Sequence, residues 1–313
     1  MEILQVSEAE YLSSIKNFTT IFDTPKFHAI NQDRCDSIFF LLGKSNKIKF
    51  GIIGGQVGDE FCMPFSAPYA CITPCRKDLK LSDYYDVIEA LEKFLSDTGF
   101  KKIKIILPPI FYDHHHLTIF SQALKQAKFD IPYIDLNYHY DLQKFDEHYL
   151  TNLHPKARQK LRASMRHGFE FLLDASLAHK KLVYSVIQEN RESKGYPLRV
   201  SFEKLLKTES AIKVDYFLLR HELSQQAVAS CICFYVAHQI VQIIYWGDRP
   251  EMSEYRPMNY LAYKVFEFYK KHAVKIVDIG ISTEQGVPNF GLCDYKQSIG
   301  CETDSKFYFT KEL

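Results

Sequence analysis

The sequence predicts a mixed α/β fold arranged as two tandem domains. Its 313 residues are roughly two domains' worth, and the fractions of 46% hydrophobic and 25% charged residues are ordinary for a globular protein. In each half, short apolar runs rich in β-branched and aromatic residues alternate with segments of helical periodicity. We expect an N-terminal domain over residues 1–150, a connecting helix over 151–168 and a C-terminal domain over 169–313.

The N-terminal half contains signals for both kinds of element. Ser82 is a suitable N-cap, apolar residues then follow helical spacing from Tyr84 to Leu95, and Gly99 ends that helix. The predicted helices span residues 7–17, 82–98 and 117–127, and the predicted strands span 37–43, 47–54, 102–107 and 133–140. Residues 61–73 are expected to be irregular or extended because they contain two prolines.

A basic helix is predicted over residues 155–167, between the two halves. Its apolar stripe consists of Leu153, Ala157, Leu161 and Met165, and a second stripe beside it consists of Arg158, Arg162 and Arg166. The helix contains no acidic residue. The arginines are interpreted either as a solvated face or as a contact for a phosphate-bearing ligand.

The C-terminal half repeats this order of elements. The predicted strands span residues 169–173, 214–219, 227–236, 240–246, 275–279 and 307–310. The predicted helices span 176–193, 258–269 and 291–298, with a short one near 201. The helix over 258–269 has the cleanest 3.6-residue periodicity, from Met258 to Tyr269.

Composition excludes several function classes. A net charge of +1 gives no global field for a polyanion or a membrane, and no apolar run is long enough to span one. The first residues do not resemble a signal peptide, so we expect a cytoplasmic protein with reduced cysteines. No metal site is predicted: Cys71 and Cys75 lack a partner pair at zinc-finger spacing, and the run His114–His116 is expected to be a polar loop with diverging side chains.

The densest motif lies near the C-terminus. Tyr245-Trp246-Gly247, Asp278-Ile279-Gly280 and the segment 289–300 follow one another with helix- and strand-sized gaps. The last segment fits the pattern G-L-x-x-[FY]-K-x-x-[FI]-G through Gly291, Leu292, Tyr295, Lys296, Ile299 and Gly300. In this respect the chain resembles the FemAB-like branch of the GNAT acyltransferase superfamily. The segments 22–27, 64–69 and 153–163 resemble the same branch more faintly.

This resemblance implies two tandem GNAT-like acyl-CoA N-acyltransferase folds joined by the basic helix. It also implies transfer of an acyl or aminoacyl group to an amine of a small molecule, a cell-wall precursor or a peptide. No cofactor is implied with certainty, and the donor would be acyl-CoA or an aminoacyl-tRNA. Relatives that use tRNA often carry a long coiled-coil arm, and no heptad insertion is present here.

Two side chains are predicted to act in catalysis. Acyl transfer to an amine requires a donor for the tetrahedral oxyanion and a means of deprotonating the amine. Lys296 matches the lysine that the resemblance assigns to charge stabilisation, and its alternative is a surface helix lysine. Glu284 is the candidate for orienting or deprotonating the amine, and its alternative is a solvated loop carboxylate.

Five further residues are candidates for binding substrate. Tyr245 and Trp246 would form walls of the pocket, although buried aromatic residues are more often part of a core. Asn259 and Asn289 would hydrogen-bond the substrate, or they cap helices and turns. Asp294 is a second candidate for orienting the amine.

The region expected to bind donor phosphates departs from the GNAT pattern. A glycine-rich loop with free N–H groups usually precedes the helix at this point. Here residues 247–257 contain one glycine, three acidic residues and two prolines. Arg249 and Arg256, together with Arg158 and Arg162 of the basic helix, are the candidates for contacting phosphate. Because the glycine-rich loop is missing, two alternatives stay open. One is a non-catalytic ligand-binding protein with a degenerate GNAT fold, and the other is an aminoacyl-tRNA-dependent transferase.

Overall fold

The structure is a computed structural model that describes residues 1–196 and 198–313. It divides into two compact units. The N-terminal unit contains Met1–Leu136, Thr283–Val287 and Asp304–Leu313, and the C-terminal unit contains Asn137–Ser282 and Pro288–Thr303. These bounds differ from the sequence-based ones because the end of the chain pairs with a strand of the N-terminal unit. The basic helix is part of the C-terminal unit rather than a separate connector.

The predicted mixed α/β class is confirmed by the order of elements. The strands are β1 (Glu2–Val6), β2 (Ser37–Lys44), β3 (Ile48–Val57), β4 (Glu60–Met63), β5 (Thr73–Pro74), β6 (Lys102–Ile106), β7 (Asp130–Asp141), β8 (Phe169–Leu173), β9 (Val214–His221), β10 (Ala227–Ala237), β11 (Ile240–Asp248), β12 (Ile276–Ile281), β13 (Thr283–Glu284), β14 (Val287–Pro288) and β15 (Glu302–Glu312). The helices are α1 (Glu8–Ser14), α2 (Pro25–Ile30), α3 (Leu81–Asp97), α4 (His114–Gln126), α5 (Tyr149–Asn152), α6 (Pro155–Ser164), α7 (Leu177–Ser193), α8 (Phe202–Thr208), α9 (Pro257–Lys271) and α10 (Phe290–Ser298).

The sheet of the N-terminal unit has the strand order β1-β2-β3-β4-β6-β15, with β5 beside β3. The β4–β6 pair is parallel, and the other pairs are antiparallel. Helix α3 buries the predicted apolar stripe, including Tyr84, Val87 and Leu91, in the core of this unit. Strand β15 is longer than the predicted 307–310 because it forms a ladder with β6, from Tyr308 opposite Ile106 to Glu312 opposite Lys102.

The histidine run is not the polar loop that the sequence suggested. His114–His116 form the first turn of α4, because Asp113 caps the helix by accepting the His116 backbone N–H at 3.0 Å. The His116 ring is buried and lies 2.9 Å from the Tyr84 hydroxyl and 3.1 Å from the Cys71 sulfur. The run therefore begins a helix and contributes one ring to the core.

The sheet of the C-terminal unit has the strand order β7-β12-β11-β10-β9-β8. The β11–β12 pair is parallel and the others are antiparallel. Cys231 and Cys233 belong to the core that α9 covers, whereas the Ser230 hydroxyl donates to the Val183 carbonyl of α7 at 2.8 Å. Since alternate residues of a strand face opposite sides, α7 and α9 cover opposite faces of this sheet. Helix α6 buries Leu161 in the α9 core.

Candidate functional site

The parallel strands β11 and β12 separate before either of them ends. Their pairing covers only Ile240–Gln242 against Ile276–Asp278, whereas β11 continues to Asp248 and β12 to Ile281. We call the gap between residues 243–248 and residues 279–281 the splay. A separation of this kind opens a cleft at the carboxyl ends of two parallel strands, where α/β sheets commonly bind ligands.

A buried carboxylate marks the point where the two strands part. Asp278 is fully buried, and its side chain accepts hydrogen bonds from Asn137 Nδ2 at 2.7 Å, Gln242 Nε2 at 2.9 Å and the Gly280 N–H at 2.8 Å. A buried carboxylate is tolerated only with such donors. Because they come from β7, β11 and β12, the three strands are fixed in register at the base of the splay.

The edge of β11 that faces the splay is open. Tyr245 lies opposite Ile232 of β10 and Ile243 lies opposite Cys233, so Ile244 is the extra residue of a β-bulge. Within the described part of the chain, no strand pairs with residues 243–248 on the side away from β10. Backbone N–H groups on this edge are available to hydrogen-bond a ligand in the splay.

Lys296 holds the other side of the splay. Its ammonium donates to the carbonyls of Ile279 at 3.0 Å, Gly280 at 2.8 Å and Ile281 at 2.8 Å. The residue is buried, so the alternative of a surface helix lysine is wrong. Burial lowers the pKa of Lys296 to about 8, and the Asp278 carboxylate opposes that shift. In this arrangement the three ammonium hydrogens have three carbonyl acceptors.

Two aromatic residues in the unpaired part of β11 point to opposite faces of the sheet. Trp246 packs against Tyr295 of α10 with ring centroids 5.8 Å apart, and the Tyr295 hydroxyl donates to the Met258 carbonyl in the first turn of α9. Tyr245 lies on the α7 face, with the Arg191 guanidinium 5.6 Å from its ring. Each side of β11 therefore presents an aromatic side chain next to the splay.

The N-terminus of α9 lies beside the Trp246 wall. Arg256 precedes the helix at a positive φ of 56° and makes no side-chain cap, and Pro257 has no N–H to satisfy. Asn259 is buried, and its side chain has no hydrogen-bond partner among the described residues. The Arg256 N–H donates to the Ser253 carbonyl and the Asn259 N–H to the Arg256 carbonyl, each at 3.1 Å, so the Met258 N–H is the one left without a partner among residues 256–259. The helix start therefore offers one free N–H, the positive end of the helix dipole and the Asn259 amide.

Three other predicted residues lie at the N-cap of α10, within α10 and in β13. The Asn289 side chain accepts the Leu292 N–H at 3.0 Å and caps α10, as its alternative interpretation predicted. Asp294 is exposed on α10. Glu284 is exposed and belongs to the N-terminal unit.

The segment expected to meet phosphate is a 3₁₀ helix, Pro250–Tyr255, rather than a loop. Arg249 forms an ion pair with Glu189 at 3.0 Å, whereas the Arg256 side chain is exposed. Sequence reasoning missed Asn190, whose Nδ2 donates to the backbone carbonyl of Asp248 at 2.6 Å and steadies the start of this segment. The only sequence feature that could have indicated Asn190 is that an amide side chain interrupts the apolar face of α7.

The basic face of α6 has no acidic partner among the residues that the structure describes. Arg162 is exposed and Arg158 half-buried, and neither lies within ion-pair distance of a carboxylate in the part of the chain that is described. The rings of His167, just after α6, and Tyr255, just before Arg256, lie 4.9 Å apart. The basic helix therefore ends close to the start of α9.

The described residues form neither a metal site nor a membrane-spanning helix. Across residues 1–196 and 198–313, no group of three histidine, cysteine or carboxylate side chains is placed to hold a metal ion. In the same residues, no helix combines the length and apolar character needed to cross a bilayer.

The fold is shared with solved structures at low sequence identity. No protein-family model and no curated protein matches the chain. FemX superposes with a TM-score of 0.71 at 12% identity, covering 100% of this chain and 98% of its own. L-PGS from Bacillus licheniformis gives 0.57 at 15% identity over 92% and 91%. A tandem GNAT protein from the clavulanic acid pathway gives 0.55 at 9% identity over 99% and 98%.

These likenesses identify the class of fold. The chain has a FemAB-like fold of two tandem GNAT domains, as the C-terminal motif suggested.

The Lys296→Met substitution should destabilise the protein. It removes one buried and two partly buried hydrogen bonds and leaves the buried Ile279 carbonyl without this donor, which should lower the free energy of unfolding by about 3 kcal/mol. Urea unfolding at pH 7 measures this change, and Lys125→Met on the exposed face of α4 is the control. An equal effect of both substitutions would refute the structural role of Lys296.

The difference in stability between the wild type and Lys296→Met should depend on pH. Because the pKa of Lys296 is lower in the folded chain than its ordinary value of 10.5, the unfolded chain binds more protons between about pH 8 and 10.5. The stability of the wild type relative to Lys296→Met should therefore rise with pH across this window. A difference that stays constant would contradict the shifted pKa.

Proposed function

We propose that the protein is an N-acyltransferase that transfers an acyl or aminoacyl group to the amine of a small molecule, a cell-wall precursor or a peptide. The observation that carries this proposal is the splay, with the open edge of β11 on one side and the Lys296-bound end of β12 on the other. A planar thioester or ester can lie between such strands, with its carbonyl oxygen accepting from the free N–H groups of the β11 edge.

The transfer requires few side chains. The amine nitrogen attacks the acyl carbon, the bond from that carbon to the donor's sulfur or oxygen breaks, and the amine loses a proton as the leaving group gains one. Backbone donors on the β11 edge would stabilise the oxyanion, because they are fixed before the donor arrives. In this scheme Lys296 is a positioning residue that holds residues 279–281. Glu284 and Asp294 remain candidates for orienting the amine, to be tested as Glu284→Gln and Asp294→Asn.

The start of α9 suggests an anionic donor. The free Met258 N–H, the exposed Arg256 and the unpartnered Asn259 amide suit a phosphate group. The unpaired Arg158 and Arg162 extend positive charge along α6. Both acyl-CoA and aminoacyl-tRNA carry phosphates, so either donor fits this arrangement.

One observation favours the alternative of a non-catalytic binding protein. Arg249 is paired with Glu189, and the 3₁₀ segment Pro250–Tyr255 replaces the glycine-rich loop that would surround a pyrophosphate. A chain that binds amine ligands without a donor would tolerate this replacement. Measurement of transfer separates the two functions.

The Asn259→Ala substitution should impair donor use. Loss of one hydrogen bond to a charged group corresponds to about 1.5–3 kcal/mol, so the KM for the donor should rise roughly tenfold or more while kcat changes little. Transfer from radiolabelled acetyl-CoA and from aminoacyl-tRNA to a panel of amines measures this. Asn17→Ala, at an exposed position, is the control. Absence of transfer by the wild type from either donor would favour the binding protein.

Charge reversal of the basic helix should distinguish the donors. The double variant Arg158→Glu/Arg162→Glu should lose affinity for tRNA and show a shallower salt dependence, because phosphate contacts release counterions. The control is Lys93→Glu/Lys125→Glu on exposed helix positions of the N-terminal unit. Filter binding at several salt concentrations measures both. Unchanged tRNA affinity in the first variant would exclude α6 as a contact for tRNA.

A further inference from the structure

A cavity of about 250 Å³ lies in the C-terminal unit, where β8 begins and β9 ends. Its lining contains no carboxylate, lysine or arginine, and most of the wall consists of ring and thioether side chains, namely His167, Phe169, His221, Met252 and Tyr255. An apolar cavity of about 150 Å³ is enough to hold a benzene ring. This cavity therefore has room for an aliphatic side chain that its own chain does not supply.

A strongly exposed leucine lies directly beside this cavity. Leu223 is 92% exposed, which is more than any other large apolar side chain in the described residues. It belongs to the hairpin between β9 and β10, between His221 and Ser224, and both of these residues line the cavity. A single exposed leucine is ordinary on a protein surface. An exposed leucine next to an unfilled apolar cavity is a pair of complementary features on one surface.

Backbone hydrogen bonds hold the hairpin tip in one conformation. The Gln225 N–H donates to the His221 carbonyl at 2.8 Å, and the His221 N–H donates to the Gln226 carbonyl at 2.9 Å. The Glu222 N–H donates to the carbonyl of Gly168, just before β8, at 2.9 Å. Because the tip is fixed before any contact forms, little conformational entropy is lost when it docks.

The surface beside the leucine and the cavity carries opposite charges. Glu222 directly precedes Leu223, and Arg166 directly precedes His167 in the cavity wall. Both side chains are exposed, and neither forms an ion pair within residues 1–196 and 198–313. Opposite charges of this kind favour the approach of one hairpin tip to the cavity of another molecule.

These features allow a symmetric contact between two copies of the chain. In a two-fold dimer every contact occurs twice, so Leu223 of one copy in the cavity of the second is matched by the reverse contact. The leucine and the cavity share one hairpin, which keeps the two contacts close to the symmetry axis.

We propose that the protein forms a two-fold dimer in which Leu223 of each copy fills the cavity of the other and Glu222 of each copy pairs with Arg166 of the other. The proposal is independent of the transferase function, since none of these three residues has a part in it. An anionic membrane is another surface that an exposed leucine near a basic helix can meet. A second copy fits better, because Glu222 beside the leucine repels anionic lipid and only a second copy fills the cavity.

Sedimentation equilibrium between about 1 µM and 1 mM measures the dimer. The average mass of the wild type should rise from that of one chain towards that of two. Leu223→Ser should raise the dissociation constant about 100-fold or more, because each dimer loses two buried leucines. Leu177→Ser, at the exposed start of α7, is the matched control and should dimerise as the wild type does.

The Gln226→Arg substitution tests the cavity itself. Gln226 lines the cavity but is not part of the core, so the variant should fold, and thermal unfolding checks this. The arginine places a charge where Leu223 docks, which should also raise the dissociation constant about 100-fold or more. Gln32→Arg, at an exposed position of the N-terminal unit, is the control. A folded Gln226→Arg protein that dimerises normally would refute the cavity as the docking site.

An exchange of charges tests the contact between the hairpin and the end of the basic helix. Glu222→Arg and Arg166→Glu should each raise the dissociation constant about tenfold, because each places two like-charged pairs in the dimer. The double variant should dimerise to within about threefold of the wild type, because it restores both pairs with their signs reversed.

Four results would overturn the proposal. The wild type could have the mass of one chain throughout the concentration range, or Leu223→Ser could dimerise as the wild type does. The double charge variant could dimerise no better than either single variant. Finally, a monomeric wild type could sediment with phosphatidylglycerol vesicles and lose this binding in Leu223→Ser, which would identify a lipid surface as the partner instead of a second copy.

Discussion

The buried carboxylate of Asp278 is the constraint on which the site depends. It takes hydrogen bonds from Asn137 of β7, Gln242 of β11 and the Gly280 N–H of β12, so three neighbouring strands meet at one charge. An unpaired charge at this depth would cost several kcal/mol, which makes the register around it costly to change. Beyond this point β11 and β12 separate. The position of the splay is therefore fixed by the hydrogen bonds to Asp278.

The two sides of the splay are formed by backbone groups that the fold holds in place. The bulge at Ile244 leaves the β11 edge open, and Lys296 secures the carbonyls of residues 279–281 on the opposite side. FemX shares the fold over the whole chain at 12% sequence identity, so the fold itself does not depend on most of the side-chain types present here.

Elements set by local periodicity were predictable, and long-range pairings were not. The helices α3 and α9 and the strands β9 to β11 follow from amphipathic spacing and apolar runs. The boundaries of the two units could not be predicted from local periodicity. They depend on the pairing of β15 with β6, which joins residues about 200 positions apart in the sequence. The burial of Lys296 and the pairing of Arg249 with Glu189 carried no sequence signal, since both depend on which side chains the fold brings alongside.

Amide hydrogen exchange of residues 243–248 tests the central claim most directly, because it reads the open edge of β11 itself. With saturating acyl-CoA or aminoacyl-tRNA, exchange of the amides that face the splay should slow about tenfold or more, while β9 at Val214–His221 stays unchanged. Protection that appears elsewhere, or no slowing of these amides by either donor, would contradict the assignment of the splay as the acyl site.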